Sequence, residues 1–268
     1  MRCLGQDVKS VLMKHARATP ETAVAVLLSA GVDSASVLFS LQEAGKNVTC
    51  YTFMLDGHMS TDFVLARRNA ATFGARFVSV LLPTDVYVLQ KDVVKLSKLG
   101  CKKKTDFECC WPLLYAFASV EESVVFSGMG ADGHFCISKK GMLHYRRRIE
   151  EFRRKTFGNP GYGQRPIHYK IAGSYNKTSI MPYMSTDMQR VFNGTSWEEV
   201  NKPHQKQPIL DAFPCQFGKI KVLPHTNLQM GDSGIAKHFK CLLRTDWNIG
   251  PWRSCVGIYN AVVAGRVG

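Results

Sequence analysis

The chain has 268 residues, of which 45% are hydrophobic and 21% charged, and its formal net charge is +14. This composition excludes a globally disordered chain, and no apolar run approaches the roughly 18 residues of a membrane span or the shorter core of a signal peptide, so we expect no membrane partner. The nine cysteines are too few for a disulfide scaffold and odd in number, which indicates reduced thiols and a cytoplasmic protein.

The first half of the chain alternates predicted strands and helices. Strands are predicted at 23–28, 48–54, 76–82 and 123–127, and helices at 32–44, 61–73, 85–99 and 111–120. The strands are almost entirely apolar, which is typical of a parallel sheet covered on both faces. We therefore predict an α/β fold with a doubly wound parallel sheet in residues 1–135. Residues 136–268 predict a mainly helical lobe with a basic insertion and no strong strand, which completes the same active site.

The loop after the first predicted strand, residues 29–34, has the sequence Ser-Ala-Gly-Val-Asp-Ser and leads directly into a helix. Small residues let the backbone approach an anion, and a helix N-terminus offers unpaired N–H groups to a phosphate. The hydroxyls of Ser29 and Ser34 can add hydrogen bonds, whereas Asp33 suits the Mg²⁺ that accompanies a polyphosphate. An ordinary helix N-cap is the alternative reading.

The loop after the fourth predicted strand, residues 127–133, has the sequence Ser-Gly-Met-Gly-Ala-Asp-Gly. Gly128, Gly130 and Gly133 match the spacing of the dinucleotide-binding fingerprint. That fingerprint belongs after the first strand, with an acid at the end of the next one, so a dinucleotide site is disfavoured. Neither loop continues with Gly-Lys-Ser/Thr, which excludes a P-loop.

Taken together, the two loops resemble those of a known superfamily. Residues 29–34 resemble the S-G-G-x-D-S pyrophosphate loop of the ATP pyrophosphatases (PP-loop proteins), with Ala30 replacing one glycine. Within that superfamily, residues 127–132 resemble the S-G-E-G-A-D loop of asparagine synthetases and β-lactam synthetases. Residues 62–67, 208–211 and 240–244 resemble further family segments, in the same order along the chain. The resemblance spans residues 20 to 255.

This resemblance implies an adenine nucleotide α-hydrolase-like fold with ATP lying across the strand ends. The adenine would sit near Leu27, Leu28, Phe53 and Met54. The phosphates would contact Ser29, Gly31, Val32, Asp33, Ser34, Gly128 and Gly130. Asp33 and Asp132 would hold Mg²⁺. The implied activity is that of an AMP-forming carbon–nitrogen ligase: an acceptor carbonyl or carboxylate takes AMP, pyrophosphate leaves, and a nitrogen nucleophile displaces AMP.

The sequence departs from the family in ways that bear on the nitrogen donor and the acceptor. Met1-Arg2-Cys3 lacks the cysteine that follows the initiator Met in the glutaminase domain, and few residues precede the first strand, so we expect no glutaminase domain. Nitrogen would come from ammonia, an amine substrate or a separate glutaminase subunit. Met129 and Gly133 replace two family acids, so we expect an acceptor other than aspartate.

The family's C-terminal lysine, which follows a Trp-Arg pair, is also absent. Trp252 and Arg253 are followed by Ser254, and no lysine occurs after Lys240. Either Lys240, Arg244 or Arg253 stabilises the transition state, or the chain is a degenerate ATP-binding module. A tRNA sulfur transferase of the same superfamily is a further alternative, disfavoured because the chain contains no C-x-x-C pair.

One stretch, residues 139–177, carries most of the net charge. It contains eleven Lys and Arg against two acids, Glu150 and Glu151, so it contributes 11 − 2 = +9 of the total of +14. A solvated helical face is the ordinary explanation of such a run. The scarcity of acids also favours a phosphate-rich partner, so we expect a nucleotide or nucleic-acid acceptor, with a small carboxylate as the competing hypothesis.

Overall fold

The computed structural model describes residues 3–159, 163–224, 231–248 and 254–268. Its centre is a five-stranded sheet, all parallel, in the order β3-β2-β1-β4-β5. The strands are β1 (Ala23–Leu27), β2 (Asn47–Leu55), β3 (Arg76–Leu82), β4 (Val124–Ser127) and β5 (Thr178–Ile180). The predicted doubly wound α/β fold is therefore confirmed.

Helices cover both faces of the sheet and form most of the second half of the chain. They are α1 (Leu4–Ala18), α2 (Val32–Glu43), α3 (Thr61–Thr72), α4 (Val86–Leu99), α5 (Lys104–Ser119), α6 (Asp132–Phe135), α7 (Lys139–Tyr145), α8 (Ile149–Phe157), α9 (Arg165–Ser174), α10 (Thr186–Phe192), α11 (Trp197–Asn201), α12 (Gln207–Ala212), α13 (Pro214–Phe217), α14 (Ile235–Phe239) and α15 (Cys255–Val263). Short 3₁₀ turns occupy Arg146–Arg148, Pro182–Met184 and Lys240–Arg244.

Two apolar clusters, one on each face, hold the helices to the sheet. One joins α1, α2 and α10–α12 to the sheet through residues such as Leu12, Val24 and Phe39. The other joins α4, α5, α9, α14 and α15 through residues such as Val80 and Trp111. Because the central strands β1 and β4 are buried from both sides, their sequences are almost continuously apolar rather than alternating. In the part of the chain that the structure describes, no helix combines the length and apolarity of a membrane span.

The predicted elements of the first half are found within a residue or two of their expected ends, with one exception. The helix predicted at 111–120 begins earlier, at Lys104. Its first turn is stabilised by Asp106, whose carboxylate accepts hydrogen bonds from the backbone N–H groups of Lys102 and Lys103. The lysines at its start and Pro112 inside it are not typical of those positions in a helix. The sequence therefore did not indicate that the helix begins before residue 111.

The later half contributes a short strand, where the sequence predicted no strong one. In β5, Thr178–Ile180 pairs in parallel with β4 and forms an edge of the sheet. A strand of three residues at an edge is too short to show strand periodicity, so β5 could not be predicted. The proposed division of the chain at residue 135 stays a prediction. β5 belongs to the second part of the chain and pairs with β4 of the first part.

One cation of the basic stretch is structural. The side chain of Arg153 is buried and donates hydrogen bonds to the backbone oxygens of His134 at 3.0 Å, Phe192 at 2.7 Å and Thr195 at 2.8 Å. It also forms an ion pair with Glu150. These contacts tie α6, α8 and the end of α10 together, so this charge does not belong to a ligand surface.

Replacing Arg153 with Met should lower the free energy of unfolding by about 3 kcal/mol, because several buried carbonyl oxygens lose their donor. The neighbouring Arg154 is exposed, and Arg154→Met should change stability by no more than about 0.5 kcal/mol. Urea denaturation of the two variants measures both values. Equal stability of the two would contradict a structural role for Arg153.

Candidate active site

The first strand of the chain and the fourth lie side by side in the sheet. Leu27 at the end of β1 pairs with Ser127 at the end of β4, and both strands run in the same direction. The connections from β1 and β4 therefore leave the sheet at the same edge, where the strand order changes direction. In open α/β sheets this crevice is where ligands bind.

The loop that follows β1 is held in a tight turn by its own polar groups. The hydroxyls of Ser29 and Ser34 lie 2.9 Å apart, and Ser34 Oγ also accepts a hydrogen bond from the backbone N–H of Ser29 at 3.0 Å. Asp62, at the start of α3, accepts the backbone N–H of Ala30 at 2.9 Å. Gly31 is the N-cap residue of α2, and as a glycine it makes no side-chain hydrogen bond to the first turn of the helix. The loop is thus preformed at the positive end of a twelve-residue helix.

The loop that follows β4 touches the first loop at a glycine. A Cβ atom added to Gly128 would lie 2.7 Å from the backbone carbon of Asp33 and from the backbone nitrogen of Ser34. Because these neighbours are backbone atoms, they cannot turn aside as a flexible side chain can. Gly128 therefore permits the close approach of the two loops, and with it the approach of Asp33 to Asp132.

A buried lysine joins the two loops. The ammonium of Lys206 lies 2.5 Å from Asp33 Oδ2 and 2.6 Å from Asp132 Oδ1, and the residue is only 4% exposed. Lys206 directly precedes α12 and has a left-handed backbone, with φ of 60°. Burial acts against its charged form, but attraction to the two carboxylates prevails and raises the pKa of Lys206 above its ordinary value.

The loops open into a cavity of about 970 Å³, at the upper end of the roughly 300–1,000 Å³ typical of ligand sites. Among the described residues that line it, the cationic side chain is Lys206, arginine is absent, and the acids are Asp33, Asp62, Asp132 and Asp232. Burial raises the pKa of Asp62, an effect that the N–H of Ala30 partly opposes. The lining is therefore acidic, although the whole chain is strongly basic.

Most residues predicted to bind nucleotide line this cavity. They are Ser29, Gly31, Val32, Asp33, Ser34, Phe53, Gly128 and Gly130, together with the predicted metal ligand Asp132 and with Leu27. Leu28 and Met54 are not among the described lining residues. Leu28 is buried in the core. Met54 directly follows Phe53 in β2, so the side chains of Met54 and Phe53 point to opposite faces of the sheet. The binding roles themselves stay predictions.

The predicted catalytic cations lie elsewhere or outside the described residues. Lys240 and Arg244 belong to one 3₁₀ turn, are both exposed, and do not line the described part of the cavity. Arg253 lies outside the described residues. The structure thus does not bring Lys240 or Arg244 to the loops.

Three charged residues of the cavity were not predicted: Lys206, Asp62 and Asp232. Lys206 stands two residues before the 208–211 segment and Asp62 begins the 62–67 segment, so both were next to or inside a family resemblance. Asp232 carried no sequence signal. Its carboxylate accepts the backbone N–H of Thr61 at 2.6 Å, which is a contact between distant segments.

Gly133, which stands where the family has an acid, packs closely against α8. A Cβ atom there would lie 2.6 Å from the ring of Phe157 and 2.7 Å from Thr156 Cγ2, both at the end of α8. A side chain at position 133 would therefore require these two side chains to shift. Met129, the other replacement, lines the cavity.

Histidine and cysteine side chains near the cavity do not form a metal centre. The described residues contain no cluster of three or more His, Cys, Asp or Glu suited to a metal ion. His134 is stacked between the rings of Phe157 and Phe192 in the core, at 4.3 and 4.6 Å. Burial raises the pKa of the Cys109 thiol, which lines the cavity, to about 11, so at neutral pH it is a thiol and a poor nucleophile.

Comparison with known proteins adds a family. A family model described as asparagine synthase matches residues 13–208. No curated protein matches the sequence. Among solved structures, NMN synthetase from Francisella tularensis is 11% identical with a TM-score of 0.37, over 84% of this chain and 98% of that one. A predicted subunit of tRNA methyltransferase from Methanocaldococcus jannaschii is 18% identical with a TM-score of 0.36, over 64% of this chain and 73% of that one.

Replacing Gly128 with Ala should separate the two loops, because the added methyl group meets backbone atoms of Asp33 and Ser34. We expect a loss of about 1–3 kcal/mol in the free energy of unfolding together with weaker nucleotide binding, measured by chemical denaturation and calorimetry. Gly173 in α9 has open space around its Cβ position, so Gly173→Ala should instead stabilise the protein by about 0.5–1 kcal/mol. Unchanged nucleotide binding by Gly128→Ala would contradict the close loop contact.

Proposed function

This chain belongs to the asparagine synthase family of the PP-loop ATP pyrophosphatase superfamily, and on that basis we propose that it is an ATP-dependent, AMP-forming carbon–nitrogen ligase. It transfers AMP to the carbonyl or carboxylate oxygen of an acceptor, releases pyrophosphate, and then transfers nitrogen to the activated carbon. The acceptor is not aspartate.

One observation carries the proposal: the carboxylates of Asp33 and Asp132, one from each loop, converge on a single positive charge. That charge is the Lys206 ammonium, at 2.5 and 2.6 Å. In an ordinary pair of helix N-caps, each carboxylate bonds to its own helix. Nothing then requires carboxylates from two separate strand ends to come together. They meet here beside a turn that carries two serine hydroxyls and stands at the N-terminus of α2, the kind of position at which phosphates bind.

The charges of the cavity support a requirement for Mg²⁺. ATP is a polyanion, and the described lining offers four aspartates against one lysine, so added cations are needed to bring them together. Carboxylate oxygens are the ligands that Mg²⁺ prefers, and Asp33 and Asp132 already face one cation, so these residues fit the metal. Bound with ATP, Mg²⁺ would neutralise charge on the phosphates.

The chain's own groups then have distinct tasks. Residues 29–34 and the first turn of α2 bind the phosphates, while Leu27 and Phe53 provide an apolar wall for the base. The acceptor oxygen attacks the α-phosphorus as the bond to the bridging oxygen breaks, and pyrophosphate leaves with that electron pair. Nitrogen attack on the activated carbon releases AMP. Catalysis rests on positioning and charge neutralisation rather than on a protein nucleophile.

The acceptor and the nitrogen donor follow from what surrounds the second loop. Asp132 remains in that loop and pairs with Lys206, but with Met129 and Gly133 in place of acids neither of the replaced positions offers a carboxylate to the ammonium group of an amino-acid acceptor. Free ammonia, an amine or a separate glutaminase subunit supplies the nitrogen. The protonated Cys109 thiol disfavours sulfur transfer, the alternative within the superfamily.

A nucleotide or nucleic-acid acceptor is supported by the exposed part of the basic stretch. Arg146 pairs with Glu198, whereas Arg148 and Lys155 share Glu151, so these charges are partly neutralised. Arg147 and Arg154 are exposed and form no salt bridge with any described residue. Arg154 lies in α8, whose end packs against Gly133 of the second loop, so a phosphate-bearing acceptor held along this helix would lie beside that loop.

Pyrophosphate release from ATP and Mg²⁺, with ammonium and pools of amino acids, nucleotides, tRNA or DNA, tests the reaction. We expect release with one pool, reduced about 10²-fold or more in Asp33→Asn and Asp132→Asn, because each change removes a charge that positions the phosphates. Asp187→Asn, which breaks a surface ion pair with Lys14, is the control and should behave as wild type. Measurable ATP binding without release in any pool would instead indicate a degenerate module.

Filter binding of tRNA and DNA at rising salt tests the acceptor class. Arg147→Ala with Arg154→Ala should weaken binding and reduce the slope of log K against log salt by about one per lost phosphate contact. Lys91→Ala with Lys98→Ala, an equal loss of charge on exposed positions of α4, should leave binding unchanged. Wild-type affinity that does not respond to salt would contradict a nucleic-acid acceptor.

A further inference from the structure

Lys206 is the least expected residue of the site, and the fold holds it in place by several contacts. Its backbone is left-handed, a conformation that is unfavourable for a residue with a side chain and often marks a functional position. The backbone N–H of Lys206 donates to the side chain of Asn201 at 3.3 Å. Asn201 in turn donates to the backbone oxygens of Phe135 at 2.9 Å and Trp197 at 3.1 Å.

These contacts connect Lys206 to the second loop from two sides. Phe135 ends α6, the helix that Asp132 begins, so Asn201 fixes the Lys206 backbone relative to the same helix whose carboxylate the ammonium contacts. The side chain then reaches across to Asp33 in the first loop. A surface lysine that met an acid by chance would have neither the buried path nor the paired anchors.

We propose that the Lys206 ammonium occupies, in the nucleotide-free protein, the position between Asp33 and Asp132 that a divalent cation takes when ATP is bound, and that it then pairs with the departing pyrophosphate. This rests on the proposed function, in which those two aspartates are the metal ligands. One oxygen of each carboxylate contacts the same nitrogen atom. A divalent ion bound to those two oxygens must therefore displace the ammonium.

The displaced Lys206 side chain can contact the phosphates of the nucleotide. Lys206 provides the cationic side chain of the described cavity lining, and its long, flexible stem can follow the phosphates while the backbone stays anchored. As the bond between the α-phosphorus and the bridging oxygen breaks, the pyrophosphate gains negative charge. Lys206 neutralises that charge, remains protonated and transfers no proton. It thereby supplies the function for which Lys240 and Arg244 are misplaced.

Mn²⁺ binding to the nucleotide-free protein, followed by electron paramagnetic resonance, tests the exchange without relying on activity. In Lys206→Met the carboxylates lose their counter-charge, so Mn²⁺ should bind at least tenfold more tightly than to wild type. Lys206→Arg, which retains the charge, and Lys219→Met, which removes an exposed lysine outside the cavity, should bind as wild type does. Pyrophosphate release should fall in Lys206→Met and be partly restored in Lys206→Arg.

Lys206→Gln provides a second variant if the methionine variant does not fold, since its amide still donates hydrogen bonds to the carboxylates. Equal or weaker Mn²⁺ binding by the neutral variants, relative to wild type, would overturn the exchange and leave Lys206 as a structural ion pair. Mn²⁺ binding that is unaffected by Asp33→Asn and Asp132→Asn would instead overturn the metal role of the aspartates in the proposed function. The two failures are therefore distinguishable.

Discussion

The site depends on a single electrostatic constraint: two carboxylates are brought together by the sheet, and a positive charge must lie between them. β1 and β4 are neighbours, so the loops that carry Asp33 and Asp132 leave the sheet at adjacent points. Ionised carboxylates in a partly buried place repel each other. The Lys206 ammonium lies between the two carboxylates and opposes this repulsion.

Much of the fold could be predicted from the sequence because the central strands are buried on both faces and stand out as apolar runs between glycine stops. β3 was predicted at its observed bounds. The unpredicted elements α1 and β5 lack that signal. α1 has only the amphipathic spacing of Leu4, Val8 and Leu12, whereas the three residues of β5 are too few to show any period.

The site was predictable to the extent that it is local. The two loops each follow a strand, so their short motifs and Asp33 and Asp132 could be identified from contiguous residues. Lys206 could not be identified in this way. Its position depends on the hydrogen bond from its backbone N–H to Asn201 and on its left-handed backbone, and neither can be predicted from the sequence. The family resemblance predicted Lys240 and Arg244 as catalytic cations, but both are exposed and neither lines the described part of the cavity. Side chains that meet across long sequence separations are the part that sequence patterns miss.

The packing of Gly133 against Phe157 has a consequence for how this protein diverges from its relatives. A side chain at position 133 would overlap the Phe157 ring and Thr156 Cγ2 where they now lie, so an acid there requires a shift at the end of α8. We therefore expect the effect of an acid at position 133 to depend on the residues at positions 156 and 157. The second loop and the helix that carries Arg153 and Arg154 would then change together in sequence rather than independently.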